Sequence, residues 1–168
     1  MNAQAFHNRK LGKVVTVRPL ADGDTATVAA LFDRLSPASR ERRYHGAKPR
    51  LTSAELAHLA HVGPDSHVLV AHVDGDPAPA GMARLARDAS DRTAGELAFE
   101  VADLYQGRGI GKLLVELLLA DARAAGIQRV DAWVQTANRP ALALLRRVLD
   151  RRSMRVEGGE TLVVATVA

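Results

Sequence analysis

At 168 residues, 47% hydrophobic and 25% charged, the chain is long enough to bury one core and has ordinary globular usage. It has no cysteine, which excludes disulfides, thiolate metal sites and an acyl-enzyme route through sulfur. A net charge of +4 suits either nucleic acid or a highly phosphorylated small molecule, and an aromatic content of 4% offers no stacking platform for single strands.

Met1 to Lys10 lacks the apolar stretch of a signal peptide, and no run approaches the roughly 18 apolar residues of a membrane span. The expectation is a cytoplasmic protein with neither a membrane nor a nucleic-acid partner. Residues 1–12 read as a flexible polar arm and 13–168 as a single domain. Lys13 to Val17 alternates and is β-branched, an outer strand ended by Pro19. Asp22 or Asp24 caps a helix to about Leu35, whose Val28, Leu31, Phe32 and Leu35 share one face. Ser36-Pro37 opens a second helix, and Thr52 with Glu55 forms the capping box of a third. His67–Val73 and Ala80–Arg87 read as a hairpin around Asp74-Gly75-Asp76, followed by a strand over Glu96–Ala102.

Leu104-Tyr105-Gln106-Gly107-Arg108-Gly109-Ile110-Gly111-Lys112 joins that strand to an amphipathic helix with Ile110, Leu113, Leu114, Leu117 and Leu118 on one side. A strand, then glycines, then a helix start gathers unpaired N–H groups at the positive end of a helix dipole, which binds phosphate. The spacing is wrong for a dinucleotide fingerprint, since neither Lys112 nor Leu114 is the third glycine. It is also wrong for a Walker loop, since Leu113 follows Gly111-Lys112. After Gly126 come a strand over Arg129–Val134, a helix over Asn138 to about Leu149, and two strands turned by Gly158-Gly159. The elements predict an α/β (α+β) fold, a mixed, mostly antiparallel sheet of 6–7 strands with helices on both faces.

Gln106, Gly109 and Gly111 form Q-x-x-G-x-G, which resembles the acyl-CoA-binding loop of the GNAT superfamily of N-acetyltransferases. The likeness runs from Val15-Thr16-Val17-Arg18-Pro19 to Asn138 and the Asn-x-x-Ala opening of the helix after it. It implies that acetyl-CoA is the co-substrate, with Val101, Ala102, Gln106, Gly107, Arg108, Gly109, Ile110, Gly111, Lys112 and Asn138 binding it. It further implies a bulge that splays the strand Glu96–Ala102 from Arg129–Val134, so that pantetheine fills the gap and a backbone N–H near Val101 polarises the thioester carbonyl. Glu96 stands where several family members keep a general base, with Glu100 on the same strand face as second choice. A solvated structural carboxylate is the competing reading of Glu96. Asn138 serves equally as a helix N-cap. The family's general-acid tyrosine position falls on Leu145, so the thiolate leaves unassisted or is protonated by water.

Arg139, Arg146, Arg147, Arg151, Arg152 and Arg155 read as a solvated face, or as contacts for the CoA 3′-phosphate or an acidic partner. Glu55, His58 and His61 lack the spacing of a metal site, and Trp133 reads as core. Leu35-Ser36-Pro37-Ala38-Ser39-Arg40, Leu51-Thr52-x-x-Glu55-Leu56 and Ala94-Gly95-Glu96-Leu97-Ala98-Phe99 resemble the branch that includes bacterial protein-lysine acetyltransferases. That resemblance implies direct attack by an amine in a ternary complex, the acceptor being a protein lysine such as one on an acyl-CoA synthetase. The alternatives are a polyamine, amino acid or aminoglycoside amine, or a non-catalytic acyl-CoA sensor. The chain is expected to act as a monomer or homodimer.

Overall fold

A computed structural model describes residues 2–167. Its elements are β1 (Gln4–Asn8), β2 (Lys13–Pro19), α1 (Thr25–Asp33), α2 (Pro37–Tyr44), α3 (Ser53–Ala60), β3 (Ser66–Val73), β4 (Pro79–Arg87), β5 (Ala94–Val101), α4 (Ile110–Ala124), β6 (Arg129–Gln135), α5 (Arg139–Val148), β7 (Arg151–Glu157) and β8 (Glu160–Thr166). Local chemistry sets the helix starts. Asp24, Ser36, Thr52 and Asn138 each accept a first-turn N–H of α1, α2, α3 and α5, and Thr52 and Glu55 complete a reciprocal capping box. Helix α4 is the exception: its N-cap is Gly109, which has no side chain to offer.

The sheet order is β1-β2-β3-β4-β5-β6-β8-β7. Every neighbouring pair is antiparallel except β5–β6, which are joined through α4 as a parallel crossover needs. The sheet is mixed and mostly antiparallel, as expected, but has eight strands rather than six or seven. The stretch expected to be a flexible arm contains β1, which pairs with β2 from Gln4↔Val17 to Asn8↔Lys13. Its polar residues hide the alternation; what holds it is the turn after it, where Asn8 Oδ1 accepts from the N–H groups of Lys10 and Leu11 and Gly12 takes a φ of 63°. Strand β2 is therefore interior to the sheet, not its outer strand.

Because side chains alternate along a strand, the register assigns the two faces. Leu69, Ala71, Gly81, Ala83, Phe99 and Val101 share the face on which α4 and α5 pack. Val68, Val70, Met82, Arg84, Glu96, Ala98 and Glu100 share the other, where α2 meets Glu100 and the α3 carbonyl of His58 accepts from Arg84. Strand β3 is buried at nearly every position, as a central strand covered on both sides must be.

Gly81 lets α4 pack closely on β4. A Cβ there would lie 3.0 Å from the Glu100 carbonyl oxygen and 3.1 Å from Leu114 Cδ1. Gly81→Ala is expected to destabilise the fold by about 1–3 kcal/mol through overpacking, read as a lower urea midpoint with an unchanged slope.

Candidate active site

Strands β5 and β6 pair only at Ala94↔Arg129, Gly95↔Val130 and Glu96↔Asp131. Beyond Glu96 they diverge, although β5 keeps an unbroken register with β4 from Arg87↔Gly95 to Gly81↔Val101. The splay therefore needs no bulge in β5 against β4, and β6 likewise keeps an unbroken register with β8 from Arg129↔Thr166 to Gln135↔Glu160. The Ala102 N–H donates to Ala80 O at 2.9 Å, toward β4. Main-chain groups alternate sides along a strand, so the N–H and C=O of Val101 point into the gap.

A cavity of about 490 Å³ occupies that gap. It is walled by Leu97 to Val101 on one side and by Ala132, Trp133 and Val134 on the other, and it runs to the glycine loop and to Asn138. Of the residues expected to bind acetyl-CoA, Val101, Gln106, Gly107, Gly109, Lys112 and Asn138 line it, as do both candidate carboxylates. Ala102 and Ile110 are fully buried in the core, and the Arg108 side chain does not line the cavity. Gly111 is a packing residue: a Cβ there would meet Leu144 Cδ1 at 3.1 Å and Val101 Cγ2 at 3.3 Å. Ile110, Gly111 and Lys112 contribute instead the first-turn N–H groups of a helix whose cap accepts none of them. Gly107 and Gly109 sit at φ 71° and 88°, conformations that admit glycine far more readily than other residues. The loop thus presents donors, a dipole end and open backbone together, which suits a diphosphate.

Side chains hold this loop from behind. Gln106 Nε2 lies 3.1 Å from Val101 O, 3.1 Å from Ser39 Oγ and 3.3 Å from Asp103 Oδ1, tying the loop to β5 and α2. Tyr105 donates its hydroxyl to Asp76 Oδ2 at 2.6 Å, and Arg34 Nη2 reaches the same oxygen at 2.7 Å. That arginine and the tyrosine hold the Asp76 carboxyl down at about 2. Burial, then Asp76, raises the Tyr105 hydroxyl. Asn138 is both N-cap of α5, accepting from Ala141 N at 3.3 Å, and cavity wall.

The two carboxylates differ. Glu100 is 7% exposed at its side chain, ion-paired with Arg43 Nε at 3.0 Å, and 3.5 Å from the Tyr44 hydroxyl. Burial, then the Glu100 charge, raises Tyr44 above its ordinary value. Glu96 is exposed and has no ion pair or side-chain hydrogen bond among the described residues. Leu145 is fully buried, so no proton donor stands there. Trp133, expected in the core, is 37% exposed because β6 turns it to the α2 face beside Glu96's partner Asp131.

Helix α2 braces the gap from that face. Arg43 grips β5, the Glu41 carbonyl accepts from Gln135 of β6 at 3.3 Å, and His45 reaches Glu160 of β8 at 2.5 Å. His45 closes the helix at φ 59°, the one non-glycine left-handed residue among those described. No spacing rule in the sequence marks this brace; the Arg-rich composition of α2 is its only trace.

Because the folded Asp76 carboxyl lies below its ordinary 3.8, its contribution to stability is complete above that value and is lost as pH falls toward about 2. Asp76→Asn is expected to lower the urea midpoint at neutral pH, with the deficit against the parent shrinking steadily over that acidic interval.

A family model described as the acetyltransferase (GNAT) family matches residues 28–150. Acetyltransferase Pat of Mycolicibacterium smegmatis is 32% identical over 84% of the chain and 41% of its own length. Acetyltransferase PA5475 of Pseudomonas aeruginosa is 30% identical over 76% of the chain and 70% of its own length. The chain thus spans about two-fifths of the first of these relatives and over two-thirds of the second. The crystal structure of the GNAT domain of S. lividans PAT superposes with a TM-score of 0.87, at 25% identity, covering 98% of this chain and 96% of that one.

Proposed function

The chain belongs to the GNAT acetyltransferase family, and on that premise we propose that it moves an acetyl group from acetyl-CoA to a primary amine by direct attack in a ternary complex. Acetyltransferases of this family use acetyl-CoA. The observation that carries the reading for this chain is the gap that opens after Glu96↔Asp131, with the uncapped α4 start at one end and the α2 face at the other.

The diphosphate rests on the first-turn N–H groups and the glycine loop, on the α4 face. Pantetheine lies along Val101 and past Asn138, which carries the thioester between the strands. The acceptor amine enters from the opposite face, where Glu96 and Trp133 stand. Glu96, free of partners, takes the proton from the attacking amine, directly or through a water. Glu100 instead anchors α2 through Arg43. As the C–N bond forms, charge grows on the carbonyl oxygen, and the Val101 N–H faces it; the C–S bond then breaks and CoA departs as thiolate. With Leu145 buried and the Tyr105 hydroxyl donated to Asp76, water is left to protonate the leaving group.

A protein lysine is the proposed acceptor class. The early-helix segments resemble the protein-lysine branch. The mouth also opens on the α2 face beside exposed Trp133, where a macromolecular surface can approach. A small polyamine or amino-acid acceptor is the competing assignment.

Glu96→Gln is expected to lower kcat by about 100-fold or more, the scale of a lost general base. Calorimetric affinity for acetyl-CoA should be unchanged. A variant with full turnover would remove the role given to Glu96.

A further inference from the structure

Strand β1 and its turn reach the glycine loop from 97 to 100 residues away in the chain. Asn8 Nδ2 donates to the Arg108 carbonyl at 2.9 Å, and Lys10 Nζ donates to the Gly107 carbonyl at 3.1 Å. The other amide atom of Asn8, Oδ1, accepts from Lys10 N at 3.0 Å and Leu11 N at 3.1 Å, building the turn that presents the lysine. One side chain therefore shapes its own hairpin and grips a distant loop.

A trans peptide points its C=O and N–H in opposite directions. A donor held on the Arg108 carbonyl therefore sets the direction of the Gly109 N–H. Gly107 and Gly109 have no Cβ to limit these peptides, and a Cβ added at either would meet nothing within 4 Å. The loop holds its Gly107–Arg108 peptide itself, through Arg108 N–H to Tyr105 O at 3.4 Å, but the Arg108–Gly109 peptide has no main-chain hydrogen bond among the described residues, and β1 supplies its partner from outside. Lys10 lines the same cavity as Gln106, Gly107, Gly109 and Lys112. Its ammonium carries three donors, of which one is engaged by Gly107.

We propose that the end of β1 is a built part of the donor site. Asn8 is a positioning residue that aims the loop N–H groups at the diphosphate of the acyl donor, and Lys10 is a direct cationic ligand of that diphosphate. The inference rests on the acetyl-CoA reading above and adds two residues that the glycine loop does not itself contain.

Asn8→Ser and Lys10→Met, made in the whole chain, test it against three donors: acetyl-CoA, acetyl-dephospho-CoA, which keeps the diphosphate, and S-acetyl-pantetheine, which lacks it. Serine still accepts from the turn N–H groups but cannot reach Arg108, and methionine keeps the lysine stem without its charge. Each variant is expected to bind both diphosphate donors about ten-fold more weakly, the scale of one charge-assisted contact, with donor KM rising and kcat nearly unchanged. On S-acetyl-pantetheine the variants should equal the parent. Undiminished affinity for acetyl-CoA overturns the proposal, and so does a loss that persists on S-acetyl-pantetheine. A loss confined to acetyl-CoA moves Lys10 to the 3′-phosphate and equally overturns it. Lys10 is exposed, so its variant decides the matter even if Asn8→Ser loosens the hairpin. If the parent itself takes up no acetyl-CoA, the underlying reading fails first, and that result is distinct from any difference between variants.

Discussion

A buried sheet does not leave main-chain groups idle. Each N–H and C=O withdrawn from water needs a partner, and an unpaired one costs about as much as a lost hydrogen bond. In this protein β5 gives up its neighbour β6 after Glu96, in the middle of the sheet, and much of the surrounding architecture answers that break. The Gln106 amide serves the Val101 carbonyl, α2 ties the two walls together from one face, and α4 and α5 close the other. The Val101 N–H remains turned into the gap. A developing oxyanion is the partner such a donor suits.

The charge distribution follows the same axis. On the α4 face the loop offers N–H groups, a helix dipole and Lys10, a setting for anions. On the α2 face the cations are largely engaged: Arg43 with Glu100, Arg84 with the His58 carbonyl, and Arg40 with the Pro49 carbonyl. Glu96 is left as the free negative group of that mouth. N–H donors and an ammonium thus stand at the loop, and a carboxylate without an ion pair stands at the other mouth. The overall excess of +4 says nothing of this division, because it sums the two faces.

Most of the fold was legible because its signals are local. Ser36-Pro37, Thr52 with Glu55, Gly126 and Gly158-Gly159 each carry their own capping or turn chemistry, and the structure uses each as expected. The glycine loop was legible as a unit, but not how its glycines divide the work. Gly107 and Gly109 serve the turn, while Gly111 lets α5 and β5 approach, and only the packed neighbours reveal that. Strand β1 was missed because Gln4 to Asn8 has a single large apolar residue, Phe6, and owes its place to the register with β2. The ties from Asn8 and Lys10 to the loop, and from His45 to Glu160, join residues about 100 positions apart. No spacing rule reports contacts of that kind.

Mechanically, the molecule is two rigid plates, β1 to β5 and β6 with β8 and β7, stitched along their shared edge by three residue pairs. A seam that short bends more easily than either plate, so thermal breathing should concentrate there, and β5 amides beyond Glu96 should trade hydrogen for deuterium sooner than those of β3. A ligand threaded along the seam acts as a splint. Whatever fills the gap would stiffen the whole protein as well as occupy its pocket.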